Sequence, residues 1–181
     1  MKFCSLCGGT LELRIPADDN RERYICASCG EIHYQNPKMI VGAIPEYHGG
    51  ILLCRRAIEP KYGLWTLPAG FMENGETTAE AAARETLEEA NASVEIGELY
   101  SLYNVPHINQ VHMLYRATLS NPDFSPGTES LEVQLFTEHE IPWHELAFRP
   151  VKLTLEHYFA DRITGNFHFH TGVLHPLPRS E

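Results

Sequence analysis

The apolar residues of this chain change their spacing several times, and each change marks an expected element of secondary structure. The stretch MIVGAIPEYHGGILLCRRA, which starts at Met39, contains two apolar runs on either side of Gly49 and Gly50. This arrangement predicts two strands joined by a glycine turn. QVHMLYRATL and LEVQLF have the composition of strands, and NFHFHTGVL alternates like a short closing strand.

Two other stretches have the composition and spacing of helices. AEAAARETLEEA consists mostly of strong helix formers, and Thr77 and Glu80 near its start resemble a capping box. We therefore expect a helix from about Thr78 to Ala90. In PVKLTLEHYFADRI the apolar residues recur at helical spacing, as Val151, Leu155, Tyr158, Phe159 and Ile163. Strands combined with two main helices predict an α/β domain.

The distribution of charge divides the chain into two parts near Pro37. Residues 1–38 hold five basic and five acidic residues, so the net charge of −10 belongs to the remainder of the chain. The residue before a proline favours extended backbone. We place the boundary there, with a small unit at residues 1–37 and the main domain at residues 38–181.

The composition limits the partners and locations that we expect. Apolar residues make up 43% of the 181 residues and charged residues 21%, as in ordinary globular proteins. An acidic chain lacks the basic surface that binds nucleic acids and anionic membranes, so we expect neither as a partner. No long apolar run lies near either end, which predicts a cytoplasmic protein without a secretion signal or a membrane helix.

The first unit carries four cysteines in two C-x-x-C pairs. Cys4 and Cys7 form the first pair, Cys26 and Cys29 form the second, and a glycine follows each pair. This spacing is typical of a zinc ribbon, in which four thiolates hold Zn²⁺ in a closed, structural site. A redox-active pair or two unrelated pairs are the alternatives. The fifth cysteine, Cys54, lies in an apolar run, and we expect it to be buried without a chemical role.

The predicted helix gathers acidic residues on one face. Glu85, Glu88 and Glu89 stand at positions i, i+3 and i+4, where side chains are neighbours. At about 6 Å and an effective dielectric near 20, each pair repels by roughly 2–3 kcal/mol. A divalent cation that prefers oxygen ligands, Mg²⁺ or Mn²⁺, reverses the sign of this cost. Taken alone, the pattern also fits a solvated acidic helix face.

The longer stretch GFMENGETTAEAAARETLEEAN resembles the Nudix box, G-x5-E-x7-R-E-U-x-E-E-x-G-U, in which U is an aliphatic residue. The matching positions are Gly70, Glu76, Arg84, Glu85, Glu88 and Glu89. Asn91 stands where the family has glycine, and asparagine is the next best residue for a left-handed helix end, so we expect little damage. Thr86 and Ala92 occupy aliphatic positions, which concerns packing more than chemistry.

The resemblance implies a Nudix α/β/α sandwich with a mixed sheet, preceded by the small zinc ribbon. In the family, this helix and the loop before it bind divalent ions that grip a pyrophosphate. By position, Glu85 and Glu89 would be the principal ligands of Mg²⁺ (or Mn²⁺). Glu88 would complete the network as a ligand or by orienting water, and Arg84 would fix Glu85 through a charge-assisted hydrogen bond.

Further groups are implied around this helix. A backbone carbonyl of Ala69 or Gly70 would add one more oxygen ligand, and Glu76 would support the loop. Family sites often include another carboxylate from a separate loop, as a base or a ligand. The candidates are Glu129 and Glu132 in GTESLEVQLF, of which we place Glu132 ahead. For each of the two, an ordinary surface position is the alternative.

Two kinds of relative combine a zinc ribbon with this box. NADH pyrophosphatases carry a signature like SQPWPFP after the box, whereas this chain has YSLYNVPHINQVHMLYRA, so NADH ranks lower. The chain is more similar to the plant chloroplast FAD pyrophosphohydrolase type, through CASCGEIHYQNPKMIVG, GLWTLPAGFMENGE, SPGTESLEVQLF and FHFHTG. This resemblance implies release of AMP from FAD or from ADP-ribose, and it implies a homodimer.

Recognition of the group attached to the nucleotide is weakly encoded. The aromatic candidates for stacking on adenine or flavin are Trp65, Tyr103 and Tyr34. Each of them also fits a position in the core. Arg55 or Arg56, at the end of a strand, would meet a phosphate or lie at the surface. We interpret His168 and His170 as structural, because two histidines alone make a poor metal site.

Three functions follow, in order. The first is a magnesium-dependent pyrophosphohydrolase that cleaves a nucleoside diphosphate linked to another group. The second is a pyrophosphatase of NADH or NAD-capped RNA, against which the missing signature counts. The third is a non-catalytic module that senses nucleotides or binds nucleic acid. The intact box and the absence of a basic stripe in the ribbon disfavour it.

Overall fold

The computed structural model describes residues 1–176. The chain forms two compact units, Met1–Pro37 and Lys38–Glu181. Neither α-helix in the described part of the chain is long and apolar enough to cross a lipid bilayer.

The first unit is a three-stranded antiparallel sheet of β1 (Leu11–Arg14), β2 (Arg23–Cys26) and β3 (Ile32–His33). Each cysteine pair belongs to a tight turn. The amide of Gly8 donates to the carbonyl of Cys4, and the amide of Gly30 donates to that of Cys26, both at 3.0 Å. Both glycines are left-handed, with φ of 72° and 77°. Glycine adopts this conformation without steric cost, so the turn explains the glycine after each pair.

The second unit is built on one eight-stranded mixed sheet with two main helices. Its strands are β4 (Lys38–Tyr47), β5 (Gly50–Arg56), β6 (Trp65–Thr66), β7 (Ala69–Phe71), β8 (Val94–Val105), β9 (Gln110–Leu119), β10 (Ser130–Phe136) and β11 (His170–Val173). The path of the sheet is β10-β5-β4-β9-β8-β11, with β6 added beside β5 and β7 beside β4. The pairs β4–β9 and β8–β11 are parallel, and the others are antiparallel.

The helices α1 (Thr78–Ala90) and α2 (Arg149–Thr164) cover opposite faces of the sheet. Side chains of a strand alternate between faces. In β5, Ile51 and Leu53 pack in a cluster with α2, whereas Leu52 and Cys54 pack in another cluster with the end of α1. All four are fully buried, and burying a leucine or isoleucine stabilises the fold by roughly 1.5–3 kcal/mol. The predicted α/β/α sandwich with a mixed sheet is confirmed.

A split between β4 and β5 brings the loop before α1 into the sheet. The two strands pair only at Glu46–Ile51 and Tyr47–Gly50, and the first half of β4 pairs with β7 instead. At the split, a Cβ added to Gly42 would lie 2.3 Å from the carbonyl oxygen of Pro68. Only glycine at position 42 lets the chain at Pro68 come this close to β4. The following strand, β7, can then pair with β4 and lie against α1.

Several elements differ from the sequence predictions. Ile163, the last of the apolar residues at helical spacing in α2, is 83% exposed, because it lies in the last turn and the core cluster ends at Phe159. The closing strand begins only at His170, so His168 precedes it. The twelve-residue strand β8 was not among the predicted strands. Its register shifts twice, near Ile96 and Leu99, and this breaks the alternation that reveals a strand.

Candidate active site

Helix α1 has the predicted bounds, and both of its ends are capped as expected. The amide of Glu80 donates to Thr77 Oγ1 at 3.2 Å, and the amide of Thr77 donates to Glu80 Oε2 at 2.7 Å. At the other end, Asn91 is left-handed with φ 46° and ψ 33°, and its amide donates to the carbonyl of Leu87. Asparagine at position 91, where the family has glycine, therefore keeps the left-handed end of the helix.

Two of the three clustered glutamates are buried side by side. Glu85 is 8% exposed and Glu89 is 7% exposed, whereas Glu88 faces solvent. Burial raises the pKa of Glu85 above its ordinary value. Burial, followed by the charge of Glu85, raises the pKa of Glu89 to about 8. Among the described residues, Glu89 Oε2 has no hydrogen-bond partner although it is buried. This is the arrangement expected of ligands to a cation.

Arg84 holds the acidic cluster together, as the resemblance implies. Its Nη1 donates to Glu85 Oε1 at 2.7 Å and to Glu88 Oε2 at 3.0 Å. Its Nε and Nη2 form a two-pronged pair with Glu76, at 2.9 and 2.7 Å. The hydrogen bonds from Arg84 lower the pKa of Glu76 to about 2. Nη2 also donates to the carbonyl of Phe71 at 3.1 Å, so one guanidinium connects α1 to the preceding loop.

Gly70 is required by the position of Glu85. A Cβ added to Gly70 would lie 2.3 Å from Glu85 Oε2 and 2.5 Å from Glu85 Oε1. The carboxylate therefore lies directly against the backbone of β7. Ala69 and Gly70 line the same cavity as Glu85 and Glu89, so the structure brings together the groups assigned to the cation.

The acidic cluster forms one side of a cavity of about 740 Å³. The carboxylates of Glu85, Glu88, Glu89 and Glu129 lie on this side, and the lining also includes Glu59 and Glu73. The remaining wall is mostly apolar and comes from the sheet and the start of α2. Its residues include Ile40, Ile58, Phe71, Leu114, Phe148 and Val151. A cavity with one anionic and one apolar side fits a ligand that is charged at one end only, provided cations screen the carboxylates.

Of the two loop carboxylates, the structure brings Glu129 to the cavity and leaves Glu132 outside it. The charge of Glu129 contributes to the raised pKa of both Glu85 and Glu89. Glu132 instead faces Arg55, with 3.7 Å between Arg55 Nη1 and Glu132 Oε2. Glu129 precedes β10, whereas Glu132 lies within the strand opposite Arg55, so its place at the cavity favours Glu129, the reverse of the order expected from the sequence.

The neighbouring arginines also differ in their position relative to the cavity, since Arg56 lines it and Arg55 does not. Arg56 lines the cavity, lies 5.1 Å from the ring centre of Phe148, and lowers the pKa of Glu89 by its charge. Its Nε donates to the carbonyl of Pro60 at 2.9 Å. Arg55 donates to the carbonyl of Gly63 instead and does not line the cavity. Of these two neighbouring arginines, only Arg56 lines the cavity.

The aromatic residues suggested for stacking lie elsewhere. Trp65 is 6% exposed and packs edge-on against Phe136, with 4.9 Å between ring centres. Tyr103 is 3% exposed and belongs to a small cluster with Val105 and Leu174. Both are core residues, because each side chain points to a closed face of the sheet, and neither lines the cavity.

Tyr34 is 64% exposed and so is not a core residue, whereas the two late histidines contact neighbouring elements of the second unit. In the first unit, the guanidinium of Arg23 lies 5.1 Å from the ring centre of Tyr34. In the second unit, His170 Nε2 lies 2.8 Å from Asp161 Oδ2, and the amide of His168 donates to the same oxygen. These contacts agree with the interpretation of His168 and His170 as structural.

Two polar residues in the mostly apolar wall of the cavity were not predicted from the sequence. Gln110 and His112 of β9 both line the cavity, and His112 Nε2 lies 3.1 Å from Gln110 Oε1. Burial lowers the pKa of His112 to about 4, so the imidazole is neutral at neutral pH. The alternation of QVHML places Gln110, His112 and Leu114 on one face of the strand. That signal was present in the sequence, but nothing in it showed that this face borders the carboxylates.

The cysteines of the first unit form a site of the right size for zinc. The four Sγ atoms lie within 4.8 Å of one another, with 3.8 Å between Cys4 and Cys29 and 3.4 Å between Cys7 and Cys26. A tetrahedron with Zn–S bonds of about 2.3 Å has edges of about 3.8 Å. The amide of Leu6 and the ring of His33 lie 3.4 and 3.3 Å from Cys4 Sγ. Hydrogen bonds from backbone amides, first that of Cys7, lower the pKa of Cys4 to about 6.

Known proteins share this architecture. Residues 2–35 match a zinc-ribbon model described as Nudix N-terminal, and residues 37–157 match the NUDIX domain. A solved NUDIX hydrolase from Nitrosomonas europaea is 60% identical, with a TM-score of 0.93 over 96% of this chain and 99% of its own.

Two of the curated relatives have different names. An ADP-ribose pyrophosphatase from Methanocaldococcus jannaschii is 29% identical over 126 residues, which cover 66% of this chain and 72% of the relative. The NAD-capped RNA hydrolase NudC from Vibrio vulnificus is 30% identical over 150 residues, which cover 78% of this chain and 53% of the relative. The chain therefore spans about half the length of that second relative. With the box, the fold and these matches in agreement, the chain belongs to the Nudix family of hydrolases.

Proposed function

We propose that the protein is a Mg²⁺-dependent pyrophosphohydrolase that cleaves a nucleoside diphosphate linked to another group and releases AMP. ADP-ribose and FAD are the substrates we place first. The observation that carries the proposal is the buried pair Glu85 and Glu89, because Glu89 Oε2 lacks a hydrogen-bond partner among the described residues. Two buried carboxylates beside each other are costly unless a cation joins them.

The residues fit such a cation. Glu85 and Glu89 would hold it, with Glu88 at the exposed edge and the backbone of Ala69 or Gly70 beside them. When bound, Mg²⁺ or Mn²⁺ neutralises the charge of a pyrophosphate and lowers the pKa of a coordinated water.

The remaining chemistry is assigned to side chains around this centre. Arg84 orients Glu85 through the 2.7 Å hydrogen bond and keeps the cluster from separating. Glu129 is exposed at the cavity, where its carboxylate fits the role of a base that accepts the proton of the attacking water. Arg56 lies where a phosphate oxygen of the substrate would enter. Together these groups position the water and the pyrophosphate.

The apolar side of the cavity supports a substrate with an uncharged, planar or hydroxylated end. Ile40, Phe148 and Val151 offer apolar contact, and neutral His112 with Gln110 offers hydrogen bonds without adding charge. Adenosine, ribose and flavin all meet this description. The name of the Methanocaldococcus jannaschii relative favours ADP-ribose among them.

A substrate panel tests the proposal. Purified protein with Mg²⁺ would be given FAD, ADP-ribose or NADH separately, and AMP release would be measured as kcat/KM. A preference for FAD or ADP-ribose agrees with the proposal. His112→Ala is expected to raise KM by about tenfold with kcat little changed, because it removes contacts made equally in the ground and transition states. Cleavage of none of the three would contradict the proposed activity.

NADH and NAD-capped RNA form the second candidate class. The observation in their favour is the 30% identity with NAD-capped RNA hydrolases such as that of Vibrio vulnificus. The sequence YSLYNVPHINQ after the box, in place of the NADH signature, counts against them. In the panel, a kcat/KM for NADH above those for FAD and ADP-ribose would make this the better assignment.

We further propose that the first unit binds one structural Zn²⁺ through its four cysteines. Four thiolates leave no position open for a substrate, and thiolate ligands need the reducing compartment that a cytoplasmic location provides. We also expect a homodimer, as the resemblance implies. Light scattering on the purified protein would measure its mass, and a mass of one chain, 20.5 kDa, would contradict the dimer.

A further inference from the structure

We propose that Asn91, which replaces the glycine of the Nudix box, positions Glu129 by anchoring the segment Ser125–Glu129 to the end of α1. The inference rests on the proposed function, because it assigns Glu129 to the same reaction. Asn91 borders the same cavity, but in this account it is a positioning residue, since the contacts of its side-chain amide are with the segment.

The side chain of Asn91 makes contacts that glycine lacks. Its Nδ2 lies 3.2 Å from the carbonyl oxygen of Ser125, 3.1 Å from Ser125 Oγ and 3.1 Å from the carbonyl oxygen of Pro126. Carbonyl oxygens only accept hydrogen bonds, so the nitrogen of the amide must face them. Its two hydrogens are thus shared among three acceptors on the segment.

The segment also uses the open carbonyls at the end of α1. The last carbonyls of a helix have no partner within it. The amide of Ser125 donates to the carbonyl of Ala90, and the amide of Gly127 donates to that of Glu89, both at 2.9 Å. A Cβ added to Gly127 would lie 1.7 Å from the carbonyl oxygen of Glu88. The segment therefore lies directly against the backbone of Glu88 and Glu89, and a side chain at position 127 would not fit.

Glu129 follows this anchor by two residues. Its carbonyl accepts a hydrogen bond from the amide of Ala57 at 2.8 Å, and the amide of Ser130 donates to the carbonyl of Gly127 at 3.2 Å. Its backbone is thus held on one side by Ala57, which directly follows β5, and on the other by the anchored segment. The carboxylate lines the cavity with Glu85 and Glu89. A small displacement of the segment would move the carboxylate away from the water that it serves.

The variant Asn91→Gly removes the side-chain contacts and leaves the left-handed end of α1 in place. Glycine keeps the left-handed conformation, so only the three Nδ2 contacts are lost. We expect kcat for AMP release to fall about tenfold, as displacement of a catalytic group by a fraction of an ångström causes. His48 is a matched control, because it is also left-handed, with φ 47°, and lies in the β4–β5 turn outside the cavity. His48→Gly should leave kcat unchanged.

A double-mutant cycle shows whether the effect passes through Glu129. In the background of Glu129→Gln, Asn91→Gly should lower kcat less than twofold, because the group that it positions is already gone. A tenfold fall in both backgrounds, or no fall in the wild-type background, would overturn the inference. No effect of Glu129→Gln itself would overturn it as well.

A readout without substrate separates this inference from the proposed function. In the metal-free protein, exchange of the amide hydrogens of Ser125 and of residues 127–129 should be at least several-fold faster in Asn91→Gly than in wild type, with α1 still protected. His48→Gly should show no change in that segment. Unchanged exchange in Asn91→Gly would overturn the anchoring and leave the proposed function standing, whereas wild-type protein that releases no AMP would overturn the proposed function and with it the role of Glu129.

Discussion

The substitution Glu89→Gln is expected to inactivate the enzyme and, without metal, to make the protein more stable at alkaline pH. Glu89 is buried beside Glu85, which raises its pKa from 4.5 to about 8. The folded state therefore holds a proton on Glu89 that the unfolded state has released at any pH between these two values. Stability is greatest below the unfolded pKa and is lost as the pH rises through about 8.

The size of this effect follows from the shift. One pKa unit corresponds to about 1.4 kcal/mol, so the full shift sets an upper limit of roughly 4 kcal/mol at pH 8. Relaxation of the site and penetration of water reduce it, and we expect roughly 2–4 kcal/mol. Glutamine resembles the protonated acid in size and hydrogen bonding and does not ionise. The variant should therefore match wild type near pH 5 and exceed it by this amount at pH 8.

Urea unfolding of metal-free protein at pH 5 and pH 8 measures both values. Adding Mg²⁺ at pH 8 should restore stability to the wild type, since cation binding to the folded state alone stabilises it, and should leave the variant little changed. AMP release by the variant should be absent at saturating Mg²⁺. A wild-type stability that does not fall between pH 5 and pH 8, or equal Mg²⁺ stabilisation of both proteins, would refute the assignment of Glu89 as a buried ligand.

Three further substitutions test the neighbouring contacts. Gly70→Ala places a Cβ 2.3 Å from Glu85 Oε2, so the carboxylate must move, and we expect Mg²⁺ affinity measured by calorimetry to fall at least about tenfold; an unchanged affinity would contradict the geometry. Arg84→Lys cannot pair with Glu76 and Glu85 together, and kcat should fall about 10–100-fold. A fall no larger than that of the exposed control Lys152→Ala would refute this role. Cys26→Ser should lose the single zinc, measured by mass spectrometry of the metal, and the amide protection of β1–β3; retained zinc would refute the four-cysteine site.

Local signals explain why α1 and its cluster were predicted correctly from sequence. The capping box, the helix propensity and the spacing of Glu85, Glu88 and Glu89 all act within one turn or two of helix. The end at Asn91 was also predictable, because asparagine tolerates the left-handed conformation. The tight turn at each C-x-x-C pair is also a local feature, because the glycine that follows the pair adopts the left-handed conformation.

The rest of the site depends on contacts between distant segments. Glu129 precedes β10 and lines the cavity, whereas Glu132 lies within β10 opposite Arg55, and no local pattern shows which of the two positions borders the cavity. Trp65 and Tyr103 have the composition of ligand-stacking residues, but the face of the sheet on which they lie decides their role, and that face is closed. His112 reaches the cavity because β9 pairs in parallel with β4, and the sequence does not encode that pairing locally.

Strand β8 was missed because it also depends on contacts with distant segments. Exposed Gly97 and Glu98 and the two register shifts interrupt its alternation, so its pairing with β9 and β11 maintains a strand that its own sequence encodes weakly. Ile163 is the opposite case, a helical position with the right spacing but no core to pack against.

The most direct test of the account is AMP release from ADP-ribose, measured for wild type and Glu89→Gln side by side across a Mg²⁺ titration. The account predicts AMP and ribose 5-phosphate from wild type, a rate that rises with Mg²⁺ and disappears with EDTA, and no product from the variant at any Mg²⁺ concentration. Product formation by wild type in EDTA, or by the variant at saturating Mg²⁺, would contradict the claim that the buried carboxylates of α1 hold the catalytic cation.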